Sequence, residues 1–186
     1  MRITELCIRN FKSIKELCVR EIENALILVG KNNTGKTAVL DALRALGGNY
    51  EIQEGDFQED YPNIEIQAVL ELSSEDLEEL HQRGLVSSYR RYEAWYRDFC
   101  AKLPSFQDGR LSFALTANRE GKIRYGDGHE KNNEFIPLIF PKIYYMDIQR
   151  NLEQFQEDLL MMQEDELLKD LRSGCCMFDR AKECNH

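Results

Sequence analysis

The chain has 186 residues, 42% of them hydrophobic, and carries 24 lysines and arginines against 33 aspartates and glutamates, for a formal net charge of −9. That length supports one main core with at most a small appendage, and no stretch approaches the roughly 18 to 20 apolar residues of a membrane span. General attraction to DNA is not supported either, because non-specific DNA affinity comes from lysines and arginines neutralising phosphates.

The charge is unevenly spread: residues 51 to 80 hold 11 acids and no base, whereas residues 1 to 50 hold eight bases and five acids. The N-terminus lacks an apolar segment with a cleavage site, so a cytoplasmic protein is expected. In that compartment the six cysteines read as reduced thiols, and no disulfide is expected.

In chain order, the opening ITELCIRNFKSIKEL reads as a strand, an NFKS turn and a second strand. Residues Ala25 to Val29 then form an apolar run of the kind found in a buried strand, followed by GKNNTGKT and a helical stretch, Ala38 to Leu46. Val39, Leu43 and Leu46 share one helical stripe, and Gly47 and Gly48 supply the stop.

Gly30, Gly35, Lys36 and Thr37 fill the phosphate-loop pattern GxxxxGK[ST]. Its glycines let the backbone curl so that consecutive NH groups, here those of about Asn33 to Thr37, converge on phosphate oxygens. Lys36 is expected to reach the β and γ phosphates, and the Thr37 hydroxyl to ligate Mg²⁺. The dipole of the following helix favours the same anion. A glycine-rich turn with an incidental lysine is the alternative, and the order strand, loop, helix argues against it.

These residues carry a family resemblance. ITELCIRNFKSIKEL, the loop GKNNTGKT with Asn32 at a GxN position, and the short gap between them resemble the N-terminal lobe of the ABC-like ATPases that include the RecF, SMC and OLD (overcoming-lysogenization-defect) proteins. The resemblance is strong over residues 1 to 50, fair to about 80 and weak from 81 to 140. YEIQEGDFQEDYPNIEIQAVLEL resembles that family's passage from a GDF-type turn into an edge strand. It implies an α/β P-loop NTPase fold with an antiparallel β layer beside the P-loop strand and helix. It also implies ATP with Mg²⁺ as ligands, held by Gly30, Asn32, Asn33, Thr34, Gly35, Lys36 and Thr37. Lys12, in the NFKS turn, would lie near the nucleotide or a DNA-facing surface, or be a solvated turn lysine.

The middle of the chain is read from its own periodicity. Ile64, Ile66, Ala68, Leu70 and Leu72 alternate with mostly polar residues, which predicts a half-buried strand. Ser73 and Asp76 then have the spacing of a capping box for the helix in SSEDLEEL. In SSYRRYEAWYRDFC, helical spacing puts Tyr92, Trp95, Tyr96 and Phe99 on one face and Arg90, Arg91 and Arg97 mostly elsewhere, so a core-facing helix outweighs a base-stacking surface. Leu111, Phe113 and Leu115, then Ile123 and Tyr125 after NREGK, predict a hairpin.

Two readings compete near residue 147. IYYMD is an apolar strand ending in a carboxylate, so Asp147 could be the Walker B residue that holds Mg²⁺. The resemblance instead implies a Q-loop, in which Gln149 contacts Mg²⁺ or the attacking water, because Ile148 follows where a catalytic glutamate would stand. A core strand ending in a surface turn is the structural alternative.

Residues 151 to 186 then read as the start of a helical arm or inserted domain beyond an ATP-binding lobe of residues 1 to 150. Leu152, Phe155, Leu159 and Met162 form its stripe. Cys175, Cys176, Cys184 and His186 lack the paired spacing of a zinc site, so no zinc is expected. His81 and His129 read as surface histidines.

No signature motif or second Walker B candidate follows. The resemblance therefore implies an ATP-binding lobe that binds ATP with little or no turnover, within a larger protein of DNA repair, DNA maintenance or phage defence. A second ATPase lobe or head would be its partner, with DNA bound, if at all, by the full protein. Two alternatives from other classes are a self-contained small P-loop NTPase or kinase using Asp147, and an ATP-gated interaction module.

Overall fold

The computed structural model describes residues 1–31, 34–129 and 132–144. The chain divides into a unit Met1–Ile143 and a unit Tyr144–His186. Only the first is described beyond a single residue.

An antiparallel hairpin opens the chain. Strands β1 (Arg2–Phe11) and β2 (Ile14–Val19) pair up to Phe11 opposite Ile14, which leaves Lys12 and Ser13 as the turn. Helix α1 (Lys36–Leu46) follows, then a 3-10 turn at Glu54–Asp56 and strand β3 (Asn63–Glu71). Helices α2 (Ser74–Gln82) and α3 (Tyr92–Lys102) precede three short to medium strands, β4 (Phe106–Gln107), β5 (Arg110–Asn118) and β6 (Ile123–Gly126). A single helical turn, α4 (Ile136–Ile139), comes last. The sheet order is β2-β1-β3-β5-β4, with β6 also on β5, and every pairing is antiparallel.

The period of two in the sequence decides which side of this sheet is dry. Leu6 and Ile8 of β1, Ile64, Ile66, Ala68 and Leu70 of β3, and Leu111, Phe113 and Leu115 of β5 are all at most 2% exposed. The opposite face carries charge. Arg9 bridges Glu16 on β2 at 3.1 Å and Glu65 on β3 at 3.4 Å, and Arg110 on β5 reaches Glu5 on β1 at 2.6 Å. These pairs are part-exposed, so they fix register more than they stabilise the fold.

Helix α1 lays Ala38, Val39, Ala42, Ala45 and Leu46 into the core. It ends as expected at Gly47 and Gly48, the latter at φ 73°, a conformation that costs glycine nothing. The capping box of α2 forms, with the Ser73 hydroxyl accepting from the Asp76 amide at 3.2 Å and Asp76 accepting from the Ser73 amide at 2.7 Å. Trp95 and Phe99 of α3 are fully buried and Arg90, Arg91 and Arg97 are exposed, as the helical spacing predicts, but Tyr96, expected on the same core-facing side, is 38% exposed.

Three expectations are corrected. Residues 25–29 are not in a strand, and Ile27 and Val29 are 81% and 89% exposed. An apolar run reads as a buried strand only where neighbours cover both of its faces, and among the described residues no strand pairs with it. Strand β3 is central between β1 and β5 rather than an edge. Finally, Cys7 and Cys18 form a disulfide. They are direct cross-strand partners with Cα atoms 4.1 Å apart, a closeness set by the hairpin register and not legible in the spacing of the cysteines.

Candidate functional site

The glycine loop runs into the N-terminus of α1. Gly35 adopts φ 91°, a conformation that favours glycine, and a Cβ added there would lie 3.2 Å from the Ser13 hydroxyl oxygen. At Gly30 an added Cβ would come within 3.0 Å of Thr34 Oγ1, which itself donates to the Lys31 carbonyl at 2.9 Å. The Lys36 ammonium folds back over this turn and donates to the carbonyls of Gly30 at 2.7 Å and Lys31 at 2.6 Å. Thr37 is exposed at the start of the helix.

The electrostatics favour an anion. The first amides of a helix have no acceptor within it, and their aligned dipoles leave a partial positive charge there. Helix α1 has no acidic residue in its first turn to cancel that charge. Beside the loop lies an open groove of about 730 Å³, lined by Ser13, Ile14 and Leu17 from the hairpin, Val29 and Gly30, and Lys36.

The hairpin turn is fastened to α1 by a cluster of charges. Lys12 Nζ lies 2.5 Å from Asp41 and 3.7 Å from Asp56, and 4.7 Å from the centroid of the Tyr50 ring. Tyr50 donates its hydroxyl proton to Asp56 at 3.0 Å, and Arg44 also contacts Asp41, at 3.1 Å. Burial pulls the Lys12 ammonium down, but hydrogen bonds with Asp41 and Tyr50 outweigh it and hold the group above its ordinary value. Backbone bonds complete the fastening: the Lys12 amide donates to Asp56 O at 2.7 Å, and the Gln58 amide group donates to the carbonyls of Lys12 and Ile14 at 3.1 and 2.8 Å.

Of the residues the sequence singles out, Gly30, Thr34, Gly35, Lys36 and Thr37 are brought together, with Lys12 one contact away. Asn32, Asn33, Asp147, Gln149, Cys175, Cys176, Cys184, His186 and the arm root 151–186 lie outside the described residues. Among the described residues no group of three or more His, Cys, Asp or Glu could hold a metal ion. His81 is not a free surface histidine: its ring packs 5.4 Å from that of Trp95, and its Nε2 lies 2.9 Å from the Tyr89 carbonyl.

Sequence reasoning missed Ser13, Asp41, Tyr50 and Asp56. One signal was available for Asp41. It shares the stripe of Ala38, Ala42 and Ala45, and a carboxylate on a buried helical stripe requires an internal partner.

A loop of this sequence and geometry at a helix N-terminus defines a P-loop nucleotide-binding protein of mixed α/β fold. The family model described as the AAA ATPase domain matches residues 1–170, and the chain belongs to that family. The expected kinship with ATP-binding ATPase domains is thereby borne out. Comparison with curated proteins returns no match. Among solved structures, one chain has a TM-score of 0.49 and 16% identity, covering 90% of this chain and 97% of that one. It comes from work on ATP-driven dimerization and DNA-stimulated activation of SMC ATPases. No helix among the described residues is long and apolar enough to cross a membrane.

Proposed function

We propose that the chain binds Mg²⁺ATP as the ATP-binding lobe of a RecF, SMC or OLD-like ATPase, within a larger protein of DNA repair, DNA maintenance or phage defence. The observation that carries this reading is the loop itself: the left-handed glycine at Gly35 and the Lys36 ammonium beside an uncancelled helix dipole.

The residues fit the ligand. Backbone amides at the start of α1 would hold phosphate oxygens, Lys36 would exchange its two carbonyl acceptors for phosphate, and the Thr37 hydroxyl would ligate Mg²⁺. Bound Mg²⁺ would supply neutralisation of the phosphate charge. Gln149, or in the competing assignment Asp147, would be the further contact to Mg²⁺ or water.

Turnover by this chain alone stays at or near background, because hydrolysis awaits a second lobe. The exposed side chains of Ile27 and Val29 support this, since an apolar segment entering a P-loop is covered when strands of such a lobe pack beside it.

Titration calorimetry with Mg²⁺ATP tests the reading. Wild-type protein gives saturable heat, and Lys36→Ala abolishes it. A clear single-turnover hydrolysis rate that Lys36→Ala removes would overturn the half-site part of the proposal, while absence of heat from folded wild-type protein would overturn the whole.

A further inference from the structure

Most arginines among the described residues are held by carboxylates: Arg2 by Glu71, Arg9 by Glu16 and Glu65, Arg83 by Glu79, Arg110 by Glu5 and Arg119 by Glu54. Arg90, Arg91 and Arg97 differ. All three are exposed, and none has a hydrogen bond or ion pair among the described residues, although Glu93 stands four residues before Arg97. Helix stability does not account for them. Arg90 and Arg91 lie at the N-terminal end of α3, where the helix dipole disfavours a cation, and Arg91 makes no side-chain cap.

Free acids stand next to these free bases. Helix α2 packs beside α3, with the His81 ring 5.4 Å from that of Trp95, and its Glu75 and Glu78 are exposed and equally without a partner among the described residues. Burial and then the Glu78 carboxylate push the Tyr92 hydroxyl up, which places that carboxylate near the first residue of α3. The link between the helices is strapped down. Trp95 Nε1 donates to the Leu85 carbonyl at 2.9 Å, the Lys102 ammonium donates to the Val86 carbonyl at 2.8 Å, and His81 Nε2 lies 2.9 Å from the Tyr89 carbonyl. Val86 is held at φ 67°, rare for a β-branched residue and maintained only where the surroundings over-determine it. Tyr89 and Tyr96, on the same link and helix, are 55% and 38% exposed.

We propose that the α2–α3 face docks a second copy of this chain about a two-fold axis, the α3 arginines of each copy meeting the α2 glutamates of the other. A two-fold contact requires one patch that complements itself, and unneutralised acids and bases on adjoining helices supply it. Arginine and tyrosine are the side chains that most often anchor protein interfaces, and a strapped link loses little freedom on docking. Nucleic acid fits less well. Three arginines neutralise few phosphates, Glu75, Glu78 and Glu93 repel the rest, and Trp95 and Phe99, which could stack on bases, are buried. A wholly acidic protein meets the same three carboxylates. The contact leaves out the phosphate loop and so needs no nucleotide.

Sedimentation velocity on the full chain without nucleotide is the test. Wild type is expected to show a micromolar monomer to dimer equilibrium that weakens about tenfold between roughly 0.05 and 0.5 M sodium chloride. Arg90→Glu with Arg91→Glu turns the α3 side acidic, and Glu75→Arg with Glu78→Arg turns the α2 side basic. Each variant alone should be monomeric where wild type dimerises. An equimolar mixture of the two should dimerise to within about threefold of wild type, because both contacts are restored with their signs exchanged. Melting temperatures should match wild type, and glutamine at the same positions replaces any variant that melts lower.

Wild type that stays monomeric to about 100 µM at low salt would overturn the proposal, as would a mixture that fails to dimerise. Loss in the arginine variant alone would remove the reciprocal contact with α2 and overturn it as well. A dimer that forms only with Mg²⁺ATP and ignores both variants would belong to another face. Arginine-dependent binding of a DNA duplex by monomeric wild type would assign the patch to nucleic acid instead.

Discussion

Lys12 Nζ and Asp41 Oδ2 are 2.5 Å apart, and through them the tip of the first hairpin is locked to the buried side of the helix that begins at Lys36. The Asp41 side chain is only 7% exposed, so removing its cationic partner leaves a carboxylate with little water to replace it. Arg44 softens the loss. Lys12→Met is therefore expected to cost about 1 to 3 kcal/mol in urea unfolding, below the full penalty for an unpaired buried charge. The sign of the pH dependence follows from the raised pKa of Lys12. Its contribution is complete below the ordinary value of 10.5 and is lost as pH rises through the higher folded value, so wild type and Lys12→Met converge only in strong alkali.

The disulfide between Cys7 and Cys18 closes a short loop in a hairpin that the strand register already holds. Cross-linking a loop of this size restrains the unfolded chain by up to about 3 kcal/mol. Cys7→Ser is thus expected to lower the melting temperature of air-oxidised protein by several degrees and to leave dithiothreitol-treated protein nearly unchanged. Peptide mapping without reductant should recover the linked pair, with Cys100 alkylated as a free thiol.

Much of the fold was legible because it rests on local periodicity. The alternation from Ile64 to Leu72 could bury only one face, and the stripe through Val39 and Leu46 fixed which side of α1 turns inward. The phosphate loop was legible for a different reason: glycine curvature and a lysine at fixed offset are written in consecutive residues. What could not be read was set by partners distant in sequence. The apolar run at 25–29 has the composition of a buried strand but no neighbour among the described residues, and composition alone cannot report a missing neighbour. Lys12 offered a solvated reading and a ligand-facing one. Its actual partner, Asp41, became evident only when the hairpin was laid across the helix. Cys7 and Cys18 meet through register, which a count of cysteines does not contain.

The start of α2 makes a separate prediction. Burial raises the Asp76 carboxyl, but hydrogen bonds from the N-terminal amine and from the amide and hydroxyl of Ser73 together bring it below its ordinary value. A carboxylate with a depressed pKa stabilises above the ordinary value of 3.8, and the contribution is lost as pH falls through the lower folded value. Asp76→Asn is expected to cost about 1 kcal/mol at pH 7, the usual scale for a helix cap. The gap from wild type should close in acid unfolding experiments run below that range.

Two isoleucines of similar bulk separate the observed packing from the one composition suggests. Ile27 is 81% exposed, whereas Ile66 is fully buried between β1 and β5. Surface substitutions away from special features change stability by no more than about 0.5 kcal/mol. Truncating a buried isoleucine costs about 2 to 5 kcal/mol, through lost transfer energy and the cavity it leaves. Ile27→Lys should therefore unfold in urea close to wild type, while Ile66→Ala unfolds well below it. A collapse of Ile27→Lys comparable to that of Ile66→Ala would mean that residues 25–29 are packed inside a sheet in solution, and the exposed P-loop approach described above would have to be abandoned.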